Sequence, residues 1–475
     1  MRQYWNSTKV ICTIGPACNS RKIIKELIMA GMDIARFNFS HGKPEDHVKY
    51  IKLVKAVAQE LKSPVAILQD LPGPKIRIGL LNAESINLNQ GQLFTLTTKK
   101  IIGNKDEVSV NHALFIRELK KDNIVYLNDG LIKLLVISKS KDTAVCSVLQ
   151  GGRIYPRKGV SCPNQFFKMS AVTPYDLKCL ESGIEAGVDF IAVSFVQQAK
   201  DIIKAKNYLR KKGKQQISVV AKIERKVAFQ DIDNIIKVSD AIMVARGDLG
   251  IEADLEDVPF LQKEIIQKCN AAGKPVITAT QMLESMVISP QPTRAEVTDI
   301  ANAILDGTDV LMLSEETAVG KYPVETLNMM LKIANRAEKK LDARQDELNF
   351  PAQDDESLVG AFSRAAVNIS NELAAKAIIA PTHSAKAISW LSRCRPNGII
   401  VGVTTDPNVL KQLILYWGVY PLLMDKFSML GQTLDDCIAL AKKAGLIKNK
   451  DNVLVMLTED NLLFSSNIME VRRIS

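Results

Sequence analysis

The feature that most constrains this fold is an alternation of short apolar runs with amphipathic helical segments. The runs are rich in β-branched residues and apolar throughout, as in parallel strands covered on both faces. Amphipathic segments such as 20–31 and 255–273 separate most of them. The strand candidates are 9–15, 32–39, 64–70, 188–196, 217–224, 241–248, 275–282 and 309–316. Eight strand–helix units predict an α/β fold of the (β/α)8, or TIM, barrel type over 1–72 and 170–342.

Two further domains are expected. About a hundred residues separate the third and fourth strand candidates, and within 73–169 apolar and polar residues alternate between turn sequences. This pattern predicts a small antiparallel β-barrel lid, inserted on the face of the barrel where active sites lie. A polar linker, 343–357, then leads to a C-terminal α/β domain, 358–475, in which a mostly parallel sheet is expected.

Composition excludes several classes of protein. No apolar run reaches the ~18 residues of a membrane span, and the N-terminal sequence lacks the apolar segment of a secretion signal. The eight cysteines have no metal-ligand spacing, and most lie in apolar segments, which favours buried reduced thiols and a cytoplasmic location. The net charge of +10 would suit nucleic acid or a small anionic substrate. Because the most basic stretch, 204–214, has the spacing of a solvated helix face, we expect no nucleic-acid partner and no membrane.

Polar side chains follow the predicted strands one after another. In a barrel of parallel strands these ends meet at one mouth, and a purely structural barrel has little reason to repeat such a pattern. The residues concerned are Arg36, Asn38, Ser40, His41, Asp70, Lys222, Glu224, Arg246, Asp248, Thr280, Gln281, Ser314, Glu315 and Glu316.

The sequence "AKIE" places Lys222 and Glu224 on the same side of one strand, and Asp248 follows the next strand. Two carboxylates from adjacent strands suit Mg²⁺, which takes its other ligands from substrate and water. A lysine beside them would direct positive charge at a substrate oxyanion or phosphoryl group. A Lys–Glu ion pair that caps the barrel is the structural alternative. Next to Asp248, Gly247 allows a ligand close to the backbone. Thr280 could hydrogen-bond a substrate carboxylate or take part in a proton relay, and a β-branched strand residue is its structural alternative.

The stretch "DLPGPKIRIG" follows the third strand and carries Asp70, Lys75 and Arg77 on a backbone stiffened by proline. Two cations at a strand end suggest an anionic ligand. The chain has no P-loop and no dinucleotide-binding fingerprint, so a nucleotide would have to bind in another way.

Long motifs along the chain resemble those of pyruvate kinases, in the same order. They include "KVICTIGPACNS", "GMDIARFNFSHG", "LPGPKIRIG", "VVAKIE", "AIMVARGDLGIE", "ITATQMLESM" and "PTRAEVTDIANAILDGTDVLMLSEETAVGKYPVE". The resemblance covers residues 1 to about 340 nearly end to end. Over the C-terminal domain it extends to the layout but only loosely to the sequence.

The resemblance implies transfer of the phosphoryl group of phosphoenolpyruvate to ADP, giving ATP and pyruvate. By position, Glu224 and Asp248 would bind Mg²⁺ or Mn²⁺, Lys222 would stabilise the transferring phosphoryl group, and Arg36 would contact it. Such a transfer needs charge neutralisation and alignment rather than a covalent protein intermediate.

The remaining substrate contacts follow from the same resemblance. Gly247, Asp248 and Thr280 would bind phosphoenolpyruvate, with Thr280 and the Gly247 backbone at its carboxylate end. Arg77, a catalytic candidate as well, and Lys158 in the lid would contact the nucleotide phosphates.

Asn38, Ser40, Asp70 and Leu71 fall at the family's monovalent-cation site. Relatives that need potassium usually carry Glu at the position of Lys75 and Thr at that of Leu71. We therefore expect the Lys75 ammonium to replace the ion, donating to Asp70 and nearby oxygens, so that K⁺ is not required.

The C-terminal domain is expected to bind an effector differently from its relatives. The segment 380–390 offers Thr382, Ser384 and Lys386 but no glycine, and an N-capped helix is the structural alternative. The late loop, 457–467, has no arginine for a second phosphate. We expect a sugar monophosphate, a nucleotide or no activator rather than fructose 1,6-bisphosphate. The resemblance further suggests a homotetramer.

Two other functions stay open at this point. A lyase or aldolase of the phosphoenolpyruvate-binding barrels would also use Glu224 and Asp248 for magnesium, but it would not need a lid that carries Arg77 and Lys158. An inactive regulatory homologue is disfavoured because every candidate catalytic residue is present.

Overall fold

The computed structural model describes residues 6–163, 165–341, 358–458 and 467–475. The strands are β1 (Lys9–Thr13), β2 (Ile34–Asn38), β3 (Ala66–Asp70), β4 (Ile86–Leu88), β5 (Leu93–Thr97), β6 (Glu107–Ser109), β7 (Ile124–Leu127), β8 (Ile132–Lys139), β9 (Thr143–Gln150), β10 (Gly152–Ile154), β11 (Val160–Ser161), β12 (Phe190–Val193), β13 (Ser218–Ile223), β14 (Ala241–Ala245), β15 (Val276–Ala279), β16 (Val310–Leu313), β17 (Ala377–Pro381), β18 (Ile399–Thr404), β19 (Val419–Leu423), β20 (Asn452–Leu457) and β21 (Ile468–Arg473).

The helices are α1 (Arg21–Ala30), α2 (Pro44–Glu60), α3 (Ala113–Glu118), α4 (Pro174–Ala186), α5 (Ala199–Lys211), α6 (Ile232–Val238), α7 (Arg246–Glu252), α8 (Val258–Ala271), α9 (Arg294–Leu305), α10 (Glu315–Ala318), α11 (Pro323–Leu341), α12 (Leu358–Glu372), α13 (Lys386–Arg393), α14 (Pro407–Leu413) and α15 (Leu430–Lys443). Short 3-10 helices span Lys226–Asp231 and Glu284–Val287.

Eight parallel strands close into a barrel in the order β1-β16-β15-β14-β13-β12-β3-β2, which confirms the predicted TIM fold. One set of strand side chains, among them Ile11, Leu68 and Met243, fills the barrel interior. The other set, among them Val10 and Ile67, packs against the surrounding helices. Burial on both faces explains why the strands read as continuous apolar runs.

The inserted domain is a half-barrel over the barrel mouth. A six-stranded sheet has the order β11-β7-β8-β9-β5-β6, and β10 pairs with β4 in a second, two-stranded sheet. All of these pairs are antiparallel except β5 with β6. The core between them includes Phe94, Phe115 and Phe167, of which the last two stack at 5.1 Å between ring centroids.

The C-terminal domain contains a five-stranded sheet in the order β19-β18-β17-β20-β21. Its first four strands are parallel, as predicted, and β21 pairs antiparallel with β20 at the edge. The predicted linker, 343–357, and most of the loop 457–467 lie outside the described residues.

The C-terminal domain is attached to the foot of the barrel, at the amino ends of the strands. The Arg395 guanidinium contacts the Asp309 carboxylate at 2.8 Å, just before β16, and both side chains are buried. Lys411 Nζ donates to the Val65 carbonyl at 2.7 Å, just before β3. The C-terminal domain therefore does not cover the mouth at the other end of the barrel, where the lid lies.

Two features that were considered in the sequence, apolar segments and cysteines, can be located in the structure. Within the described residues, no helix combines the length and the apolarity that a membrane span requires. All eight cysteines lie in the described residues as free thiols, and all but Cys394 are buried.

Candidate active site

Arg36 and Asp70 form the buried base of the site at the carboxyl ends of β2 and β3. The two strands are parallel neighbours, and Asn38 at the end of β2 pairs with Asp70 at the end of β3. The Arg36 Nε and Nη2 atoms donate to Asp70 Oδ2 at 2.9 and 2.7 Å, and Nη1 donates to Thr13 Oγ1 at 2.8 Å. This geometry fixes the direction of the guanidinium plane before any ligand binds.

Lys222 lies at the centre of the mouth, at the end of β13. Its Nζ is 3.2 Å from Asp70 Oδ1 and 2.7 Å from Glu224 Oε1, and it donates to Ser194 Oγ at 2.8 Å. Burial alone would lower the pKa of Lys222, but the carboxylates of Asp70 and Glu224 outweigh burial and raise it above its ordinary value. The side chain is thus a fixed, permanently charged ammonium.

The neighbouring cations in turn affect the pKa of Asp70. Burial would raise the pKa of Asp70, but Lys222 and Arg36 together hold it below its ordinary value. Asp70 is therefore an ionised carboxylate that orients two cations, and it leaves neither of its oxygens without a partner.

Glu224 and Asp248 form the candidate metal site. Glu224 Oε2 accepts from the Phe195 backbone at 2.6 Å, and burial together with the nearby Asp248 charge raises the pKa of Glu224. A buried carboxylate whose ionised form is disfavoured by burial and by a neighbouring carboxylate is a ligand that a hard divalent cation stabilises. The described residues hold no group of three or more His, Cys, Asp or Glu side chains that could bind a metal. A cation at Glu224 and Asp248 would take its other ligands from substrate oxygens and water.

Thr280 and Gly247 come together as expected. The Thr280 hydroxyl accepts from the Gly247 backbone at 2.9 Å and donates to the Ala279 carbonyl at 2.6 Å. Thr280 and Gln281 both have positive φ, 70° and 55°, so the loop after β15 turns sharply. Arg246 supports this turn, because its Nη2 donates to the Thr280 carbonyl at 2.7 Å.

The loop after β3 brings Lys75 to the mouth. Its ammonium is close enough to Lys222, Asp248 and Glu224 for their charges to act on it, although burial is the main reason that its pKa is lowered. The expected bond from Lys75 to Asp70 does not form, because Arg36 and Lys222 already occupy both carboxylate oxygens.

The other residues of the expected monovalent-cation site lie at the ends of β2 and β3 or directly after them. Leu71 is buried, and the Asn38 side chain accepts from the Ser40 backbone at 3.1 Å.

Between the mouth and the lid lies a cleft of about 520 Å³, lined by Lys75, Arg77, Lys158 and Asp248 among others. Arg77 is exposed, and its Nη1 donates to the Arg157 carbonyl at 2.9 Å. The Lys158 ammonium is 3.8 Å from the Asp129 carboxylate, with both side chains well exposed. The two lid cations therefore face an open space large enough for a nucleotide.

The effector candidates lie far from this cleft, in the C-terminal domain. The Thr382 hydroxyl donates to the Ser384 carbonyl, and the Ser384 hydroxyl accepts from the Lys386 backbone at 3.3 Å. These bonds lie in the turn before α13, whose N-cap residue, Ala385, makes no side-chain cap bond, so both hydroxyls already take part in local hydrogen bonds.

Comparisons with known proteins agree with this geometry. The family model for the pyruvate kinase barrel domain matches residues 5–327, and the model for the pyruvate kinase alpha/beta domain matches residues 360–471. The chain belongs to the pyruvate kinase family. It converts phosphoenolpyruvate and ADP to pyruvate and ATP, in a family that generally uses a divalent metal.

Individual relatives span nearly the whole chain. The pyruvate kinase of Thermotoga maritima is 43% identical over 453 residues, covering 95% of this chain and 96% of the relative. That of Thermococcus litoralis is 42% identical over 458 residues, covering 95% and 94%. The crystal structure of a pyruvate kinase from Cryptosporidium parvum superposes with a TM-score of 0.93 at 34% identity, covering 99% of this chain and 96% of that one.

Sequence reasoning missed several residues of the site. Thr13 and Ser194 each complete the hydrogen bonding of a central cation, Arg36 and Lys222 respectively. Both follow the rule used for the other candidates, since each is a polar residue at the end of a barrel strand. Phe195, by contrast, contributes only its backbone N–H, at a positive φ of 57°, and its side-chain type gives no signal of this.

Proposed function

We propose that the pyruvate kinase reaction of this chain runs at the barrel mouth through Lys222, Arg36, Thr280 and Arg77, with Mg²⁺ or Mn²⁺ bound by Glu224 and Asp248. The observation that carries the proposal is the Lys222 ammonium, buried in contact with Asp70, Glu224 and Ser194 at the point where the strand ends meet. A bound divalent cation would supply positive charge to the phosphoryl oxygens.

Lys222 and Arg36 would stabilise the transferring phosphoryl group. Both cations are held by Asp70, so they need little reorganisation when charge develops on the phosphoryl oxygens. Phosphoryl transfer depends on such fixed charge and on alignment.

Thr280 and the Gly247 backbone would hold the carboxylate end of phosphoenolpyruvate. The hydrogen bond between Gly247 N and Thr280 Oγ1, 2.9 Å long, brings both groups to the same point, where each would exchange its present acceptor for the carboxylate. Beside Gly247, Asp248 would link this subsite to the metal.

The lid would bind the ADP phosphates through Arg77 and Lys158, which line the same cleft as Asp248. A coupled assay for pyruvate, with and without ADP, tests the proposal. Pyruvate release that depends on ADP supports it, whereas equal release without ADP favours a lyase and no release favours an inactive homologue.

We further propose that the enzyme needs no potassium, because Lys75 supplies the positive charge itself. Burial and the neighbouring charges of Lys222, Asp248 and Glu224 act on its ammonium, which supports a position at the reacting groups. Adding K⁺ beside an ammonium would bring like charges together. Leu71, which is buried and apolar, offers no side-chain oxygen to such an ion.

The test is turnover in tetramethylammonium buffer, with and without potassium chloride at constant ionic strength. We expect a change of less than about twofold for the native chain, below 0.5 kcal/mol. Lys75→Glu should lose most activity and regain part of it with K⁺, whereas Lys100→Glu, an exposed lysine of the lid, should change neither. A large rise in native turnover on adding K⁺ would disprove the role of Lys75.

We propose that the chain forms a cytoplasmic homotetramer. Leu255, Phe260 and Ile288 are 75%, 73% and 72% exposed on the barrel, and large apolar side chains of this kind support burial against another copy. Sedimentation velocity tests this: a tetramer is expected, and a monomer at micromolar concentration would exclude it.

We also propose no strong activation by fructose 1,6-bisphosphate, since Thr382 and Ser384 are engaged in the turn before α13. If an effector binds at this turn, Lys386 is the remaining candidate contact. Micromolar activation by the bisphosphate would overturn this proposal.

A further inference from the structure

The lid is joined to the barrel by two chain segments, and one carboxylate, that of Asp176, binds to both. We call residues 71–77, which lead from β3 into the lid, the entering segment. Asp176 lies in the first turn of α4 and is fully buried. Its Oδ1 accepts from the Gly73 N–H of the entering segment at 2.9 Å. Its Oδ2 accepts from the Thr173 N–H at 2.7 Å, where the chain has returned from the lid.

The start of α4 explains only half of this arrangement. Thr173 and Asp176 form a capping box, in which Thr173 Oγ1 accepts from the Asp176 N–H at 3.2 Å and donates to Asp176 Oδ2 at 2.5 Å. Such a box satisfies free N–H groups at the start of a helix, and one carboxylate oxygen is enough for it. The bond from Oδ1 to Gly73 adds nothing to the cap, so its effect is on the entering segment.

Gly73 is confined on its other side by the loop after β12. Its φ is 66°, in the left-handed region, and a Cβ there would lie 3.0 Å from Ser194 Cβ and 3.2 Å from the Ser194 carbonyl oxygen. Ser194 Oγ accepts from Lys222 Nζ at 2.8 Å. The N–H of the next residue, Phe195, donates to Glu224 Oε2 at 2.6 Å. The loop that confines Gly73 therefore also holds two groups of the proposed phosphoryl site.

The position of Gly73 determines that of Lys75. The Lys75 N–H donates to the Gly73 carbonyl at 2.9 Å, which closes a three-residue turn. Asn111 of the lid then donates to the Lys75 carbonyl at 3.0 Å and accepts from the Arg77 N–H at 2.9 Å. The residues on both sides of Gly73 are prolines, which restrict the backbone. Because this turn has little freedom, a displacement of Gly73 would move both cations of the entering segment.

We propose that Asp176 is a positioning residue for the reaction, which acts through Gly73 to hold the entering segment over the barrel mouth. The inference rests on the proposed function, in which Lys75 and Arg77 act on the substrates. Without Oδ1, the Gly73 N–H would lose its acceptor, and the segment would shift to reach another. Phosphoryl transfer depends on the alignment of fixed charges, so even a small shift lowers the rate.

Two variants separate the entering segment from the helix cap. Asp176→Ala removes the acceptor for Gly73 together with the carboxylate half of the capping box. Thr173→Ala, the matched control, removes the hydroxyl half of the box but leaves Oδ1 bound to Gly73. Both should lower Tm, whereas only Asp176→Ala should release the entering segment. Asp176→Asn keeps the size of the side chain, but its single oxygen cannot reach both segments, so it should lie between the native chain and Asp176→Ala.

Hydrogen exchange followed by mass spectrometry measures the release directly. Peptides covering 71–78 should exchange about tenfold faster or more in Asp176→Ala and at the native rate in Thr173→Ala. A native exchange rate at 71–78 in Asp176→Ala, or an equal increase in both variants, would overturn the proposal.

Steady-state kinetics measure the consequence for the reaction. In Asp176→Ala we expect kcat/KM for ADP to fall about ten- to a hundredfold. KM for ADP should rise more than KM for phosphoenolpyruvate, because Arg77 lies on the released segment whereas Thr280 and Gly247 do not. Thr173→Ala should stay within about twofold of the native values. A merely structural role would lower the amount of folded enzyme and leave both KM values unchanged, and that result would refute the positioning role.

Arg77→Ala in the same assay separates failure of this inference from failure of the proposed function. A native KM for ADP in Arg77→Ala would disprove the nucleotide role of Arg77, and with it the reason given for the effect of Asp176. A raised KM for ADP in Arg77→Ala beside native kinetics in Asp176→Ala would keep the nucleotide role and disprove that of Asp176.

Discussion

The junction between the lid and the barrel depends on one buried amide, that of Gln197. Its Oε1 accepts from the Phe167 backbone N–H at 3.1 Å, and its Nε2 donates to the Phe167 carbonyl at 2.9 Å. Arg225 Nη1 donates to the same Oε1 at 2.9 Å, and Nη2 donates to the Gln165 carbonyl at 3.0 Å. The Arg225 guanidinium also lies over the Phe167 ring, at 5.3 Å from its centroid. These contacts tie the returning lid segment to the loops after β12 and β13.

Gln197→Leu should loosen this junction. The side chains are similar in size, and Gln197 is only 4% exposed, so the loss is mainly one of hydrogen bonds. The Phe167 N–H, the Phe167 carbonyl and one N–H of Arg225 each lose a partner in a buried place. At about 1–2 kcal/mol for each of these three groups, the closed junction should lose about 3–6 kcal/mol.

Hydrogen exchange followed by mass spectrometry measures that loss locally. Because 3 kcal/mol corresponds to about two powers of ten, peptides covering 165–169 should exchange about a hundredfold faster. We expect kcat to fall and KM for ADP to rise, because the lid carries Arg77 and Lys158. Gln197→Glu, which can still accept both N–H bonds but cannot donate to Phe167, should lie between the native chain and Gln197→Leu.

The control is Gln59→Leu, an exposed glutamine of α2. If the exchange rate at 165–169 in Gln197→Leu equals that in Gln59→Leu, the role of Gln197 at the junction is wrong. It is wrong as well if exchange increases equally throughout the barrel, because the amide would then stabilise the whole domain rather than the junction.

Three further predictions concern buried charges. Lys222→Met should lower kcat by about 10²–10³ through the loss of one fixed charge, as measured by steady-state turnover, and near-native turnover would disprove its role. Glu224→Gln and Asp248→Asn should each raise the Mg²⁺ concentration for half-maximal rate, and unchanged values in both would remove the metal assignment. Arg395→Met should cost about 3–5 kcal/mol of stability by leaving Asp309 buried and unpaired. Because burial holds the pKa of Asp309 above its unfolded value, this loss in Tm should grow as pH rises from 5 to 8, and a pH-independent loss would contradict it.

The barrel could be predicted from the sequence because one physical cause produces both the pattern and the strand. Parallel strands covered on both faces must be apolar throughout, and all eight predicted runs contain an observed strand. Several predicted strands extend beyond the ends of the observed strands. Residues 246–248, for example, belong to the start of α7, since nothing in a polar triplet distinguishes a strand end from the first turn of a helix.

Elements without that pattern were missed. β21 reads "IMEVRR" and is an edge strand that is at least partly exposed along its length, so its charged residues hide its pairing with β20. The Gln197–Arg225 junction could not be predicted either. It depends on where two loops direct their side chains, and the sequence alone does not distinguish a buried glutamine from an exposed one.

The contacts of Asp70 explain why Lys75 does not make the bond to Asp70 that the sequence led us to expect. The Asp70 carboxylate could have paired with Arg36, Lys75 or Lys222, and the sequence does not indicate which. In the fold, Arg36 comes from the adjacent strand β2 and Lys222 from β13, two strands away on the other side, and they contact Oδ2 and Oδ1 respectively. Among the residues that the structure describes, the Lys75 ammonium makes no ion pair or hydrogen bond. Lys75 instead lines the cleft between the mouth and the lid.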